Sequence, residues 1–292
     1  MLRSSNPILS KKDAFTPAAP QYGQQQYGQG YGQQPYGQQG YQGYPTQGGG
    51  RGPQDPWSNA PTPNQQAGQG RMTLDDVITK TAVTIGILVL TAALAWNFVP
   101  QGLYFPAMVL SALVGFVVVL LVSFRRVVSP PLVIAYAAIE GVFIGMISKV
   151  FESVYTGIVA QAVVATFVAA GVTLAAYKFF NIRVTAKFTK VVVISTIAFA
   201  GLMLINFIFS LVTGSGGLRS GITGPVSGLS ILVSAVAIVL AVLNLVLDFD
   251  YVERGVEMGA PAKESWRAAF GLTVTMVWLY IEMLRLISYI RR

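Results

Sequence analysis

The chain has 292 residues, 53% of them hydrophobic and only 11% charged, a balance that excludes an ordinary soluble domain. It contains no cysteine and no histidine, which excludes disulfides, zinc sites, Cys or His nucleophiles and histidine pH switches. The net charge of +8 lies in short loops beside apolar runs, so it points to anionic lipid head groups and membrane topology and away from nucleic acid.

Residues 1–71 differ in kind from the rest. From Tyr22 to Tyr44 the chain repeats Tyr-Gly-Gln units, and a Gly- and Pro-rich stretch continues to Gly70. With almost no aliphatic residues this segment cannot bury enough surface to offset the entropy of ordering, so a disordered cytoplasmic tail is expected. It is either a solvated extension or a Tyr/Gln tract that self-associates or recruits a protein partner. The polar sequence after Met1 lacks the apolar core of a secretory leader.

Thr73, followed by Leu74, Asp75 and Asp76, reads as a helix N-cap with acids in the first turn. Seven apolar runs then follow, at about 78–99, 104–124, 131–150, 157–177, 190–213, 228–247 and 268–290. Each is long enough to cross about 30 Å of hydrocarbon at about 1.5 Å per residue, so the expected fold is an all-α polytopic membrane protein occupying 72–292. The stretch Gly214 to Gly228 reads as an outer loop. Lys and Arg gather around the first helix and in the even loops (Arg71, Lys80, Arg125, Arg126, Lys178, Arg183, Lys187, Lys190, Arg254, Lys263, Arg267), against Lys149 and Arg219 on the other side. The positive-inside bias therefore predicts the cell membrane with a cytoplasmic N-terminus and an outer C-terminus. Arg291 and Arg292 oppose the outer C-terminus mildly, and a re-entrant last segment is the alternative.

Four carboxylates fall inside or at the ends of these runs: Glu140, Asp248, Asp250 and Glu282. Charge in hydrocarbon costs about 2.5–3.5 kcal/mol on insertion scales, so such acids point to ion handling, proton handling or a pairing that fixes the bundle. Glu140 lies about 13 Å into the third helix, beside the Gly141/Gly145 GxxxG pair that admits a close backbone. It either bonds a neighbouring helix or lines a polar path. Asp248 and Asp250 close the sixth helix and cannot share one face, so one faces the bundle and the other ends the helix in solvent, with Gly255 and Gly259 as stops. Glu282 and Arg285 are spaced i, i+3, and Glu282 either neutralises itself on Arg285 or meets an acid from another helix. Two carboxylates at close range share a proton and titrate as a pair, which makes a pH sensor without histidine. Simple rise leaves Asp248 and Glu282 at different depths unless the sixth helix runs on towards Gly259 and the seventh begins near Lys263; otherwise Glu140 is the better partner for Glu282.

Glu140-Gly141 with Gly145, an acid closing the sixth helix, and Leu279-Tyr280-Ile281-Glu282 in the seventh resemble the Bax inhibitor-1 family over about 72–292. Thr73 to Asp76 and Asp248-Phe249-Asp250 are closest to its actinobacterial-type branch. The resemblance implies seven helices with the last one central. It also implies a pH-sensitive cation leak, usually of Ca²⁺, gated by acids of helices six and seven, here Asp248 and Glu282 with Asp250 as the substitute. Those two acids would also be the metal ligands. An arginine latch after the second helix would be Arg125 or Arg126, and Arg285 is a further latch candidate. Ca²⁺ is the expected permeant ion, no other cofactor is expected, and an enzyme is not. A proton-coupled transporter of a small solute and a non-conducting regulator of another membrane protein, such as a membrane protease, are the alternatives.

Overall fold

The computed structural model describes residues 70–125, 127–214, 217–219 and 226–292. Among the described residues seven helices are long and apolar enough to cross a membrane. They are α1 (Leu74–Phe98), α2 (Tyr104–Phe124), α3 (Pro130–Val154), α4 (Ile158–Phe179), α5 (Ala186–Thr213), α6 (Gly228–Glu257) and α7 (Glu264–Ile290). Thr73 caps α1 as its spacing predicts, its hydroxyl accepting the Asp76 amide at 3.2 Å. The clearest departure from the apolar runs is α6, which continues through Asp248 and Asp250 to Glu257, with Gly255 inside it and Gly259 beyond its end. A run defined by hydropathy stops at the first charge, whereas the backbone ladder does not; carboxylates and arginines are tolerated where they find partners.

Helix α7 is the centre of the bundle. It packs along α1, α3, α4 and α6, joins Val118 and Val122 of α2 through Phe270, and stacks Trp278 on Phe199 of α5 at 6.0 Å between ring centroids. Of α5, by contrast, only Val192 is fully buried. The outward faces of α1, α2, α4 and α5 are apolar and exposed, as a bilayer requires. Two glycines set how closely α1 and α3 approach: a Cβ on Gly141 would strike Thr91 and the Leu88 carbonyl, and one on Gly145 would strike the Ala92 backbone. The GxxxG pair thus works as its spacing suggests, letting backbones meet.

Contacts at the two ends fix the arrangement. At one end the Met72 amide donates to the Ala260 carbonyl and the Ala262 amide to Gly70, both at 2.7 Å, so Gly70 to Met72 pair with the α6–α7 connection. Residues 70 and 71 of the expected tail are thereby tied to the bundle; residues 1–69 lie outside the described residues. Lys80 bonds Asp76 at 2.6 Å and the Ala262 carbonyl at 3.0 Å, Arg254 reaches the Val184 carbonyl at 2.6 Å, and Arg267 reaches the Arg125 carbonyl at 3.3 Å. At the opposite end Arg291 donates to the Thr156 carbonyl at 2.8 Å, placing the last residues beside the α3–α4 connection.

Candidate functional site

One stripe of the central helix carries the polar chemistry. Gly271, Thr275, Trp278, Glu282, Arg285 and Tyr289 recur at alternating spacings of four and three, which puts them on a single face of α7. Helix α6 runs antiparallel beside it, and its Ser234, Ala237 and Ala241 are 0% exposed and small enough for close packing. Asp248, a further seven residues along that α6 face, accepts a hydrogen bond from the Thr275 hydroxyl at 2.6 Å. A Cβ added to Gly271 would come within 3.1 Å of the same carboxylate.

The second half of the stripe is closed by a loop. Between α5 and α6, Gly217 to Arg219 turn into the bundle: the Leu218 amide donates to Asn206 Oδ1 at 2.6 Å, and Ser230 Oγ donates to the Leu218 carbonyl at 3.3 Å. Asn206 lies about 10 Å below the end of α5, so Leu218 sits about that deep. Gly217, with φ of +60°, makes the turn in a region that L side chains rarely adopt, and it lies against Asn206, where a Cβ has no room. The descent delivers Arg219 to Glu282, with Nη2 2.8 Å from Oε1, the two side chains 11% and 2% exposed. The guanidinium also lies 5.8 Å from the ring of Phe199, which is midway along α5. Burial pulls the Arg219 guanidinium below its usual range and nearby Arg285 adds to the pull, while Glu282 holds it up. It remains charged. Among the described residues Arg219 Nε, Arg285 Nε, Glu282 Oε2 and Tyr289 Oη are buried without hydrogen-bond partners.

These contacts place each residue anticipated from the sequence. Asp248 and Glu282 both face the stripe but do not meet: Thr275 and Glu282 are seven residues apart, about 10 Å along α7. Asp248 contacts Thr275 and Glu282 contacts Arg219. Glu282 therefore neutralises Arg219 from the loop rather than Arg285 on its own helix, because a loop can bring a guanidinium to the carboxylate head-on, which a neighbour one turn away does less well. The outer-loop reading of Gly214 to Gly228 is corrected for Gly217 to Arg219, which turn inward. Asp250 points away from the stripe and pairs with Arg254 at 2.9 Å, in a polar recess with Tyr177, which donates to Glu253 at 2.5 Å. Glu140 lies apart, between α3 and α2, with Oε2 2.8 Å from where a Cβ on Gly115 would stand. Arg125 is exposed at the end of α2 and is met by Arg267 at its carbonyl; Arg126 lies outside the described residues. Among the described residues no group of three Asp, Glu, His or Cys could hold a metal ion. Thr275 and Arg219 are the site residues that sequence reasoning passed over. Arg219 carried one signal, as the only charge in a Gly- and Ser-rich loop.

Fold and site together define a multi-pass α-helical membrane protein whose last helix is central and bears a buried ionic stripe. The family model described as Bax inhibitor 1 like matches residues 6–292, and the chain belongs to that family. Among curated proteins no match is found.

Proposed function

We propose that the protein conducts a hard cation, Ca²⁺ foremost, along the polar stripe of α7, and that protonation of the carboxylates facing the stripe controls the flow. The observation that carries this reading is the alignment of Asp248, Thr275, Glu282 and Arg219 along one face of the central helix. Carboxylate and hydroxyl oxygens suit Ca²⁺, and Glu282 Oε2 and Tyr289 Oη, two oxygens without hydrogen-bond partners, can meet water or a passing cation. Arg219 is the closure: a fixed positive charge seated in the path repels cations, and it is held there by Glu282. Protonating Glu282 removes the attraction that holds the guanidinium, and the glycine-rich loop can then carry Arg219 outward, back to water. Asp248 acts as the inner carboxylate, oriented by the Thr275 hydroxyl.

On this reading the protein lies in the cell membrane with its N-terminus in the cytoplasm. The end bearing Arg71, Lys80, Arg125, Lys178, Arg254, Lys263 and Arg267 faces inward by the positive-inside rule. Withdrawing Arg219 into the bundle leaves the opposite end with fewer free cations, which strengthens the asymmetry. The reading includes no enzymatic step. The test is Ca²⁺ flux into proteoliposomes across pH. Glu282→Gln, a permanent mimic of the protonated side chain, should raise the leak and flatten its pH dependence; Arg219→Ala should raise it as well, and Asp248→Asn should lower it. Flux and pH profile unchanged in all three variants would sink the proposal.

A further inference from the structure

Helices α1 and α4 flank α7 but do not pack on each other among the described residues. Between them opens a groove of about 480 Å³, floored by α3 and α7 through Ile144, Gly145, Ser148, Val277 and Tyr280. Its rim is apolar and faces outward: Val89 is 57% exposed and Phe167 56%. Its lining spans Ile85 to Asn97 on α1, about 18 Å of rise, which is slightly more than half of a hydrocarbon core of about 30 Å. Val89, Val163 and Phe167 wall it with apolar carbon, the kind of surface on which a hydrocarbon chain makes its ordinary contacts at about 3.5–4.0 Å.

The interior asks for nothing polar. Ser148 and Tyr280 hydroxyls bond each other at 2.7 Å, Thr166 donates to the Ala162 carbonyl at 2.7 Å, and Thr273 donates to the Ala269 carbonyl at 2.7 Å. The Thr166 and Thr273 protons are thus spent on their own helices, and Ser148 and Tyr280 turn towards each other. At the end of the groove marked by Trp96 and Asn97 the chemistry changes. There the Lys149 ammonium donates to the Trp96 carbonyl and sits 5.0 Å from the ring centroid of Tyr104. A cation over an aromatic ring at the end of a membrane helix matches the level of a lipid phosphate.

We infer that the groove between α1 and α4 is a binding site for one acyl chain of an anionic membrane lipid, with Lys149 against its phosphate. The inference rests on groove shape and lining and is independent of the conduction proposal. The full chain in nanodiscs of phosphatidylcholine and phosphatidylglycerol, with a trace of phosphatidylglycerol carrying a mid-chain diazirine, tests it. On photolysis and peptide mapping, label on Val89, Ala93, Val163 and Phe167 should exceed label on the exposed α5 face (Ile194, Ile197, Ile205) at least fivefold. Ala93 lines the groove and is exposed, so Ala93→Trp fills the groove without entering the core and should erase that excess while α5 labelling stays constant. Lys149→Ala should lower groove labelling about fivefold, and it keeps the test available if the tryptophan variant fails to fold. Even labelling of α1, α4 and α5, or groove labelling that neither folded variant changes, overturns the site.

Discussion

Replacing Arg219 by methionine leaves Glu282, only 2% exposed, as an uncompensated carboxylate in the bundle interior. At the observed 2.8 Å separation the attraction is about 6 kcal/mol at an effective dielectric constant of about 20. Desolvation of both ions cancels most of that in the intact pair, but removal of one partner exposes the penalty of the other, about 3–5 kcal/mol. The reverse variant is milder. Glu282→Gln frees an arginine that sits on a glycine-rich loop and can return to water, so a cost of about 1–2 kcal/mol is expected. The double variant Arg219→Met/Glu282→Gln buries neither charge and should cost less than the sum of the single variants by about 2–3 kcal/mol. Unfolding by SDS titration in mixed micelles, measured for the four proteins of this cycle, gives the coupling directly. Single-variant costs that add to within about 0.5 kcal/mol would refute a structural ion pair between the inward loop and α7.

Thr275→Val removes the donor to Asp248 while keeping shape, and should destabilise the bundle by about 1–3 kcal/mol in the same titration, with Thr275→Ser restoring most of it. Gly145→Ala forces α1 and α3 apart where the Ala92 backbone leaves no room, a loss of about 1–3 kcal/mol; Gly86→Ala, facing open space on α1, should instead be neutral or stabilising by up to about 1 kcal/mol. Glu140→Gln removes a membrane charge that lies off the α7 stripe, so stability should hold or rise, and Ca²⁺ flux in proteoliposomes should match the parent chain.

Much of the architecture is readable from local sequence. Twenty-residue apolar runs determine membrane helices because no other backbone satisfies its own hydrogen bonds in hydrocarbon. Gly141 and Gly145 announce a close approach because only a missing Cβ permits one. Thr73 predicts its own cap for an equally local reason. The extent of α6 was not readable this way, since hydropathy falls at Asp248 whereas the helix continues to Glu257, with Asp250 paired to Arg254 on the same helix.

The site is another matter. Which charges are costly in the membrane is legible along the chain, where Glu140, Asp248 and Glu282 stand in apolar context. Which group answers each of them follows from the packed fold alone. Asp248 meets Thr275, 27 residues away, and Glu282 meets Arg219, brought in by a loop whose inward course depends on Asn206 and Ser230. Glu140 goes to the α2–α3 seam and joins neither. Cost is a property of one residue and its neighbours in sequence. Pairing depends on helix depth, rotation and the path of a connecting loop, which are set only when the other six helices pack around α7.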